Sequence, residues 1–207
     1  VPVLLIAGTD APIQRWDGLV DELGQEVLAC RFDADDASSS GPLAGAVTPA
    51  VRADALIAAL RSARLPGPYV LVGHSLGGLT VRQFGARHGG QLGGAVLLDP
   101  TTPAALASLH RQLTTSGWDA SAAQAEAEAS VEWPDVPLVV LSHDPTEVPF
   151  GDPVVENLWT QGQRDYGGLT DGATVEAVRG AGHYVDRDAP KQVVRVIDDL
   201  IRRAGGN

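Results

Sequence analysis

The run Tyr69-Val70-Leu71-Val72 is apolar at every position, ends in Gly73-His74-Ser75-Leu76-Gly77-Gly78, and gives way to a helical pattern from Leu76 to His88. A strand without polar alternation has to be buried on both faces, as in a parallel sheet covered by helices on either side. Val3-Leu4-Leu5-Ile6, Ala95 to Leu98 and Pro137 to Leu141 read the same way, and Val27 to Phe32 and Thr174 to Val178 complete six expected strands. Helical stripes separate them. Trp16, Leu19, Val20 and Leu23 recur at i, i+3, i+4 and i+7, as do Ala53, Leu56, Ile57 and Leu60. Val193, Val194, Ile197, Leu200 and Ile201 stripe a final helix with Pro190 near its start. Gly24 and Pro66-Gly67-Pro68 supply stop signals. This alternation predicts an α/β fold of about six mostly parallel strands with helices on both faces.

The 207 residues read as one domain, 1–207, with no internal repeat and no linker. Residues 35–45 form a turn-rich stretch that includes Ser38-Ser39-Ser40. Residues 101–136 separate two buried strands, are rich in Ala, Glu and Gln, and predict a short helical lid of one or two helices over the C-terminal sheet edge. Acidic residues outnumber basic ones, 26 to 15, for a formal charge of −11. Nucleic acids and anionic membranes need a positive surface, so both are disfavoured as partners. Cys30 is the sole cysteine, which excludes an internal disulfide and a cysteine-based metal site. No paired His, Asp or Glu spacing suggests a metal, and no cofactor is expected. No apolar run approaches the roughly 18 residues of a membrane span. Methionine is absent even at position 1, so a processed or trimmed N-terminus is expected. The expected compartment is the cytoplasm, with secretion after loss of a leader as the alternative.

Gly73-His74-Ser75-Leu76-Gly77 places a G-x-S-x-G motif between a strand and a helix. A serine on so sharp a turn projects its Oγ clear of the sheet, and flanking side chains would collide, hence glycine two residues away on each side. The helix that follows aims its amides and dipole at a developing oxyanion. A phosphate-binding loop would call for more glycines and a lysine, and none is present here. This motif, the run from Gly67 to Gly78 and the later Ala95-Val96-Leu97-Leu98-Asp99-Pro100 resemble the α/β-hydrolase superfamily. The likeness extends over nearly the whole chain, and it implies a minimal version whose sheet begins at the family's third strand. It also implies Ser75 as nucleophile.

A serine nucleophile needs a base. Of the five histidines, His183 in Gly180-Ala181-Gly182-His183-Tyr184 follows the last strand, where members of the superfamily resemble this chain, and the order serine, acid, histidine requires a late one. His74 lies inside the elbow, His88 after its helix, His110 in the insertion and His143 after a strand. The acid must hold the imidazole tautomer from a nearby strand end. Asp99 and Asp144 both qualify, and both precede proline, where a turn role is the bland alternative. The commoner family pattern uses the later strand. Asp99 is preferred because Asp144 comes early in its loop, and some haloalkane dehalogenases and polyketide thioesterases resemble the Asp99 arrangement. The oxyanion donors implied are the amides of Leu76 and Thr9. Here Ala7-Gly8 stands where the family often has His-Gly.

Trp118, Trp133 and Trp159, together with Phe150, are candidates to line a substrate pocket, with core packing as the alternative. The reading is a serine hydrolase that cleaves a small-molecule carboxylic ester through an acyl-enzyme. A thioesterase or acyltransferase in a biosynthetic pathway is the alternative, and a non-catalytic ligand-binding version of the fold is a further one. Dehalogenase and epoxide hydrolase chemistry is disfavoured, because those relatives carry aspartate where this chain has Ser75.

Overall fold

The computed structural model describes residues 1–8, 12–32, 46–129 and 132–206. Thr9 and all of the turn-rich stretch 35–45, with Ser38-Ser39-Ser40, lie outside the described residues. Six strands form one sheet: β1 (Val3–Ile6), β2 (Ala29–Phe32), β3 (Tyr69–His74), β4 (Leu92–Leu98), β5 (Leu138–Ser142) and β6 (Thr174–Ala177). Their order is β2-β1-β3-β4-β5-β6 and every neighbouring pair is parallel. The chain winds outward from β1 to β2, then crosses to β3 and continues the other way. The crevice between the C-terminal ends of β1 and β3 is therefore the switch point, where open α/β sheets bind ligands.

Strand periodicity sorts the core into two layers. Val3, Leu5, Val70, Val72, Val96, Leu98 and Leu141 face one side, packing with α1 (Asp17–Leu23) and the last helix, α9 (Pro190–Ala204), through Leu19, Val193, Ile197 and Leu200. Leu4, Ile6, Leu71, Ala95, Leu97, Leu138 and Val140 face the other, against α2 (Pro49–Ser62) and α3 (Gly77–His88) through Leu56, Ile57, Val81 and Phe84. Central β3 is buried at every residue, whereas edge strand β6 is exposed throughout. The apolar strands thus lie in the middle of the sheet, where both faces are covered.

Among its described residues the insertion holds three short α-helices rather than one or two: α4 (Pro103–Leu106), α5 (His110–Thr115) and α6 (Ala120–Glu128). Leu106, Leu113, Trp118, Ala123 and Ala127 close a third apolar cluster on Leu76 and Leu79, at the start of α3. Polar groups fix it there. Arg82 donates from Nη1 to the Ala127 carbonyl (2.7 Å) and from Nη2 to that of Ala129 (2.6 Å), placing a cation at the C-terminus of α6. Glu126 accepts from the Thr48 hydroxyl (2.7 Å) and the Ala50 amide (2.9 Å), placing a carboxylate at the N-terminus of α2.

A further helix, α7 (Pro153–Gly167), follows β5 where no apolar stripe announces one. Its buried face carries Glu156, Trp159, Gln163 and Tyr166, so helical spacing is present but half hidden by polar residues. Two of these residues bond across to the chain leaving the sheet: Gln163 Nε2 donates to the Pro100 carbonyl (2.9 Å) and the Tyr166 hydroxyl to that of Thr101 (2.7 Å). They tie α7 to the loop that leaves β4. A short helix, α8 (Val185–Asp188), completes the set, joined to the turn before α1 by the buried Arg15–Asp186 ion pair (2.7 Å). Among the described residues, no helix is long and apolar enough to cross a membrane.

Two glycines differ sharply in what they tolerate. A Cβ on Gly77 would collide with the Ile6 carbonyl, which is backbone and cannot yield, whereas one on Gly18 in α1 meets nothing within 4 Å. Gly77→Ala is therefore expected to destabilise by about 3 kcal/mol. Gly18→Ala is expected to stabilise by about 0.5–1 kcal/mol, because alanine has less backbone freedom to lose on folding. Urea unfolding midpoints of the two variants check both signs.

Candidate active site

Strand β3 delivers the chain to a left-handed turn at Ser75, φ 54°. Non-glycine residues rarely adopt this conformation, and it persists because the neighbours over-determine it. The Ser75 amide donates to the Leu98 carbonyl (3.2 Å), and its own carbonyl accepts from the amides of Gly78 (2.9 Å) and Thr101 (3.0 Å). No side chain fits around it. A Cβ on Gly73 would lie 2.7 Å from Val81 Cγ2, and one on Gly78 would lie 2.5 Å from Pro100 Cβ. The half-buried serine stands at the mouth of the switch-point crevice, with its Oγ 3.5 Å from Thr101 Oγ1. Gly8, at the end of the β1 loop, lies against it: a Cβ there would be 3.5 Å from both Ser75 Oγ and the Leu76 amide nitrogen. Helix α3 starts directly behind, with its positive dipole end toward this point.

Of the two aspartates considered, Asp99 reaches His183. It ends β4 in another left-handed turn, φ 40°, is fully buried, and its Oδ2 accepts from His183 Nδ1 at 2.6 Å. Oδ1 accepts from His143 Nδ1 (2.8 Å) and from the His143 amide (3.2 Å). Burial pushes this carboxyl up, but the hydrogen bonds from His143 and His183 outweigh it, and the group is held below the usual carboxylate range. Asp144 has a different task. Its Oδ2 accepts from the Gly180 amide (2.9 Å), Oδ1 accepts from the Thr146 amide (3.0 Å) and hydroxyl (2.8 Å), and its own amide donates to the Ala181 carbonyl (2.8 Å). These bonds hold its carboxyl down at about 2, led by the Gly180 amide and then Thr146. Asp144 thus pins the loop that carries His183, in which Gly180 supplies a φ of 72°.

A second support comes from below. His74 is buried, and its Nε2–H donates to the His183 carbonyl at 3.0 Å. Burial, then the neighbouring His183 and Arg15, keep His74 well below the usual imidazole range, so it serves as a neutral donor. Its ring lies 4.6 Å from that of His183 and stacks on Tyr184 at 5.3 Å.

Among the tryptophans, Trp159 stands beside His183, with ring centroids 5.4 Å apart, and Phe150 is 5.1 Å from the same imidazole. Trp118 is buried in the insertion cluster with Leu76, under the Arg52 guanidinium at 5.2 Å. Trp133 is placed elsewhere. It packs against Gly85 along α3 and donates its Nε1–H to the Val136 carbonyl (3.3 Å), a core position. His88 pairs with Asp54 at 2.8 Å, and His110 begins α5. Among the described residues, no group of three or more His, Cys, Asp or Glu side chains is arranged to hold a metal.

Sequence reasoning passed over His143 and Glu156. Glu156 Oε1 accepts from the Phe150 amide (2.6 Å), and its Oε2 lies 3.4 Å from His143 Nε2. Neither residue carries a local signal, because Asp99 and His143 are separated by 44 positions in the chain.

No protein-family model matches the sequence, and no curated protein matches it. Solved structures do. Over 98% of its length the chain is similar to a thermophilic esterase from Thermogutta terrifontis, at 20% identity and a TM-score of 0.69, covering 90% of that chain. Over 97% it is similar to an esterase from Exiguobacterium antarcticum, at 12% identity and a TM-score of 0.71, covering 91% of that chain. Over 97% it is also similar to E-2-(acetamidomethylene)succinate hydrolase, at 16% identity and a TM-score of 0.70, covering 91% of that chain. With one parallel six-stranded sheet and helices on both of its faces, the chain has the α/β-hydrolase fold.

Proposed function

We propose that the protein is a serine hydrolase that cleaves a small-molecule carboxylic ester through an acyl-enzyme. The observation that carries this reading is the pairing of buried Asp99 with His183, 2.6 Å, at the sheet edge where Ser75 is held in its left-handed turn. In the proposed reaction Ser75 Oγ attacks the ester carbonyl while His183 Nε2 takes its proton. His183 Nδ1–H stays on Asp99, which stabilises the imidazolium. The Leu76 amide, with the Thr9 amide as second donor, receives the oxyanion. The tetrahedral intermediate collapses as His183 returns the proton to the leaving alkoxide. A water molecule then attacks the acyl-enzyme, gives its proton to His183, and releases the acid and free Ser75.

The surroundings support this assignment of roles. Trp159 and Phe150 form an apolar wall against His183, suited to the non-polar part of an ester. Trp118 and the α4–α6 insertion cover Leu76, and we assign them the role of a small lid over the acyl side. A second reading has the same acyl-enzyme formed from a thioester or passed to another acceptor. It is favoured by the position of Asp99 at the end of β4, which resembles the arrangement in polyketide thioesterases. Side-by-side turnover of p-nitrophenyl acetate and an acyl thioester separates the two.

A fluorophosphonate probe is expected to label the wild-type protein and leave Ser75→Ala unlabelled; equal labelling of both sinks the proposal. Asp99→Asn is expected to lower kcat on p-nitrophenyl acetate by about 10³–10⁴-fold, because the imidazole loses its oriented tautomer. Asp144→Asn keeps an acceptor for the Gly180 amide and is expected to stay within about threefold of wild type. The opposite pattern would make Asp144 the acid. The native carboxyl of Asp144, at about 2, lies below its unfolded value. Its stabilisation is therefore present above about pH 4 and lost as pH falls toward 2. Asp144→Asn is expected to flatten that part of the curve of urea midpoint against pH.

A further inference from the structure

One imidazole, His143, lies between two carboxylates in the interior. Its side chain is 2% exposed, Nδ1 is 2.8 Å from Asp99 Oδ1, and Nε2 is 3.4 Å from Glu156 Oε2. An ionised carboxylate accepts and does not donate, so the Nδ1 that faces Asp99 carries a proton. A neutral ring with that tautomer would aim the lone pair of Nε2 at a second carboxylate oxygen. A ring protonated at both nitrogens turns this contact into an attraction. The charged and titratable groups facing the ring are Asp99 from the end of β4, Glu156 from α7 and Asp144 from its own loop. Phe150 closes the site as an apolar edge, 5.9 Å away. The other oxygen of Asp99 holds His183, so Glu156, His143, Asp99 and His183 form one continuous line.

We propose that His143 is an imidazolium that neutralises part of the Asp99 charge, making it the positioning residue that sets the acid limb of the reaction run by Ser75 and His183. The role rests on the hydrolase reading of Ser75 and His183 given above. A bare Asp99 carboxylate would pull a proton onto His183 strongly. Sharing that charge with a second cation weakens the pull. Burial acts to discharge His143, but Asp99, Glu156 and Asp144 outweigh it and hold the ring above the usual imidazole range. On the far side, His183 faces the neutral His74 and the rings of Tyr184, Phe150 and Trp159, so Asp99 is its one anionic hydrogen-bond partner among the described residues.

The test uses the intact protein and two variants. His143→Gln removes the charge and keeps a donor for Asp99. Glu156→Gln removes the outer carboxylate and keeps the acceptor for the Phe150 amide. In nitrogen-15 histidine-labelled wild type at pH 7, both ring nitrogens of His143 are expected to be protonated. In His143→Gln the acid limb of kcat/KM for p-nitrophenyl acetate is expected to move up by roughly one pH unit, and in Glu156→Gln by less. A purely structural role would lower kcat at every pH and leave the limb in place. The ring-nitrogen spectrum of His143, in wild type and in Glu156→Gln, is a readout that needs no turnover. A protein that hydrolyses no ester thus defeats the functional reading while still deciding this one. An unprotonated Nε2 on His143, or acid limbs that coincide with wild type in both variants, overturns the proposal. If His143→Gln fails to fold, the wild-type spectrum and Glu156→Gln decide it.

Discussion

A carboxylate with no exposed surface has to be satisfied by donors inside the protein, because burying an unpaired charge costs several kcal/mol. Asp99 is that group, and it receives the His143 ring, the His143 amide and the His183 ring. Much of the C-terminal sheet edge is organised around it. Strand β5 ends where its next residue can offer both an amide and an imidazole to Asp99. The Asp144 carboxylate and the His74 ring hold the backbone on either side of His183. Polar groups on the buried face of α7 hold the carbonyls of Pro100 and Thr101 that follow Asp99. An apolar residue at position 143 would leave the buried Asp99 carboxylate short of a donor.

The elbow at Ser75 depends on close backbone approach in place of charge. β1 and β3 are adjacent, with Ile6 opposite Gly73, so the two loops leaving them compete for the same space. Gly77 resolves that competition by carrying no side chain against Ile6, while Gly73 and Gly78 leave room for Val81 and Pro100. Left-handed backbone at both Ser75 and Asp99 is a local cost that the packed sheet sustains, and it falls at the two places where a polar side chain is lifted out of a strand end.

What was legible in the sequence was local. Four consecutive apolar residues before G-x-S-x-G, and recurring helical stripes, follow from periodicities of two and 3.6 residues, and these placed the strands of the sheet and the elbow. His183 could be picked by its position after the last strand. Asp99 was preferred to Asp144 only on loop position and resemblance, since both follow neighbouring strands and both precede proline. The β4–β5 register and the path of the Gly180 loop separate them. Helix α7 was hidden because its inner face carries Glu156 and Gln163, whose burial is offset by hydrogen bonds no pattern displays. Trp133 looked like a pocket residue by type, and packing against Gly85 placed it in the core.

By itself the sequence determined an α/β sheet with a serine on a strand-to-helix elbow, because hydrophobic period and glycine spacing act between residues close in the chain. Tertiary structure alone decided which aspartate meets His183, that a second histidine shares it, and that Glu156 stands behind that histidine. Those contacts join residues from 13 to 84 positions apart. Hydrogen bonds at 2.6–2.8 Å need the strand ends to be aligned within a fraction of an ångström. Only the assembled sheet supplies that alignment.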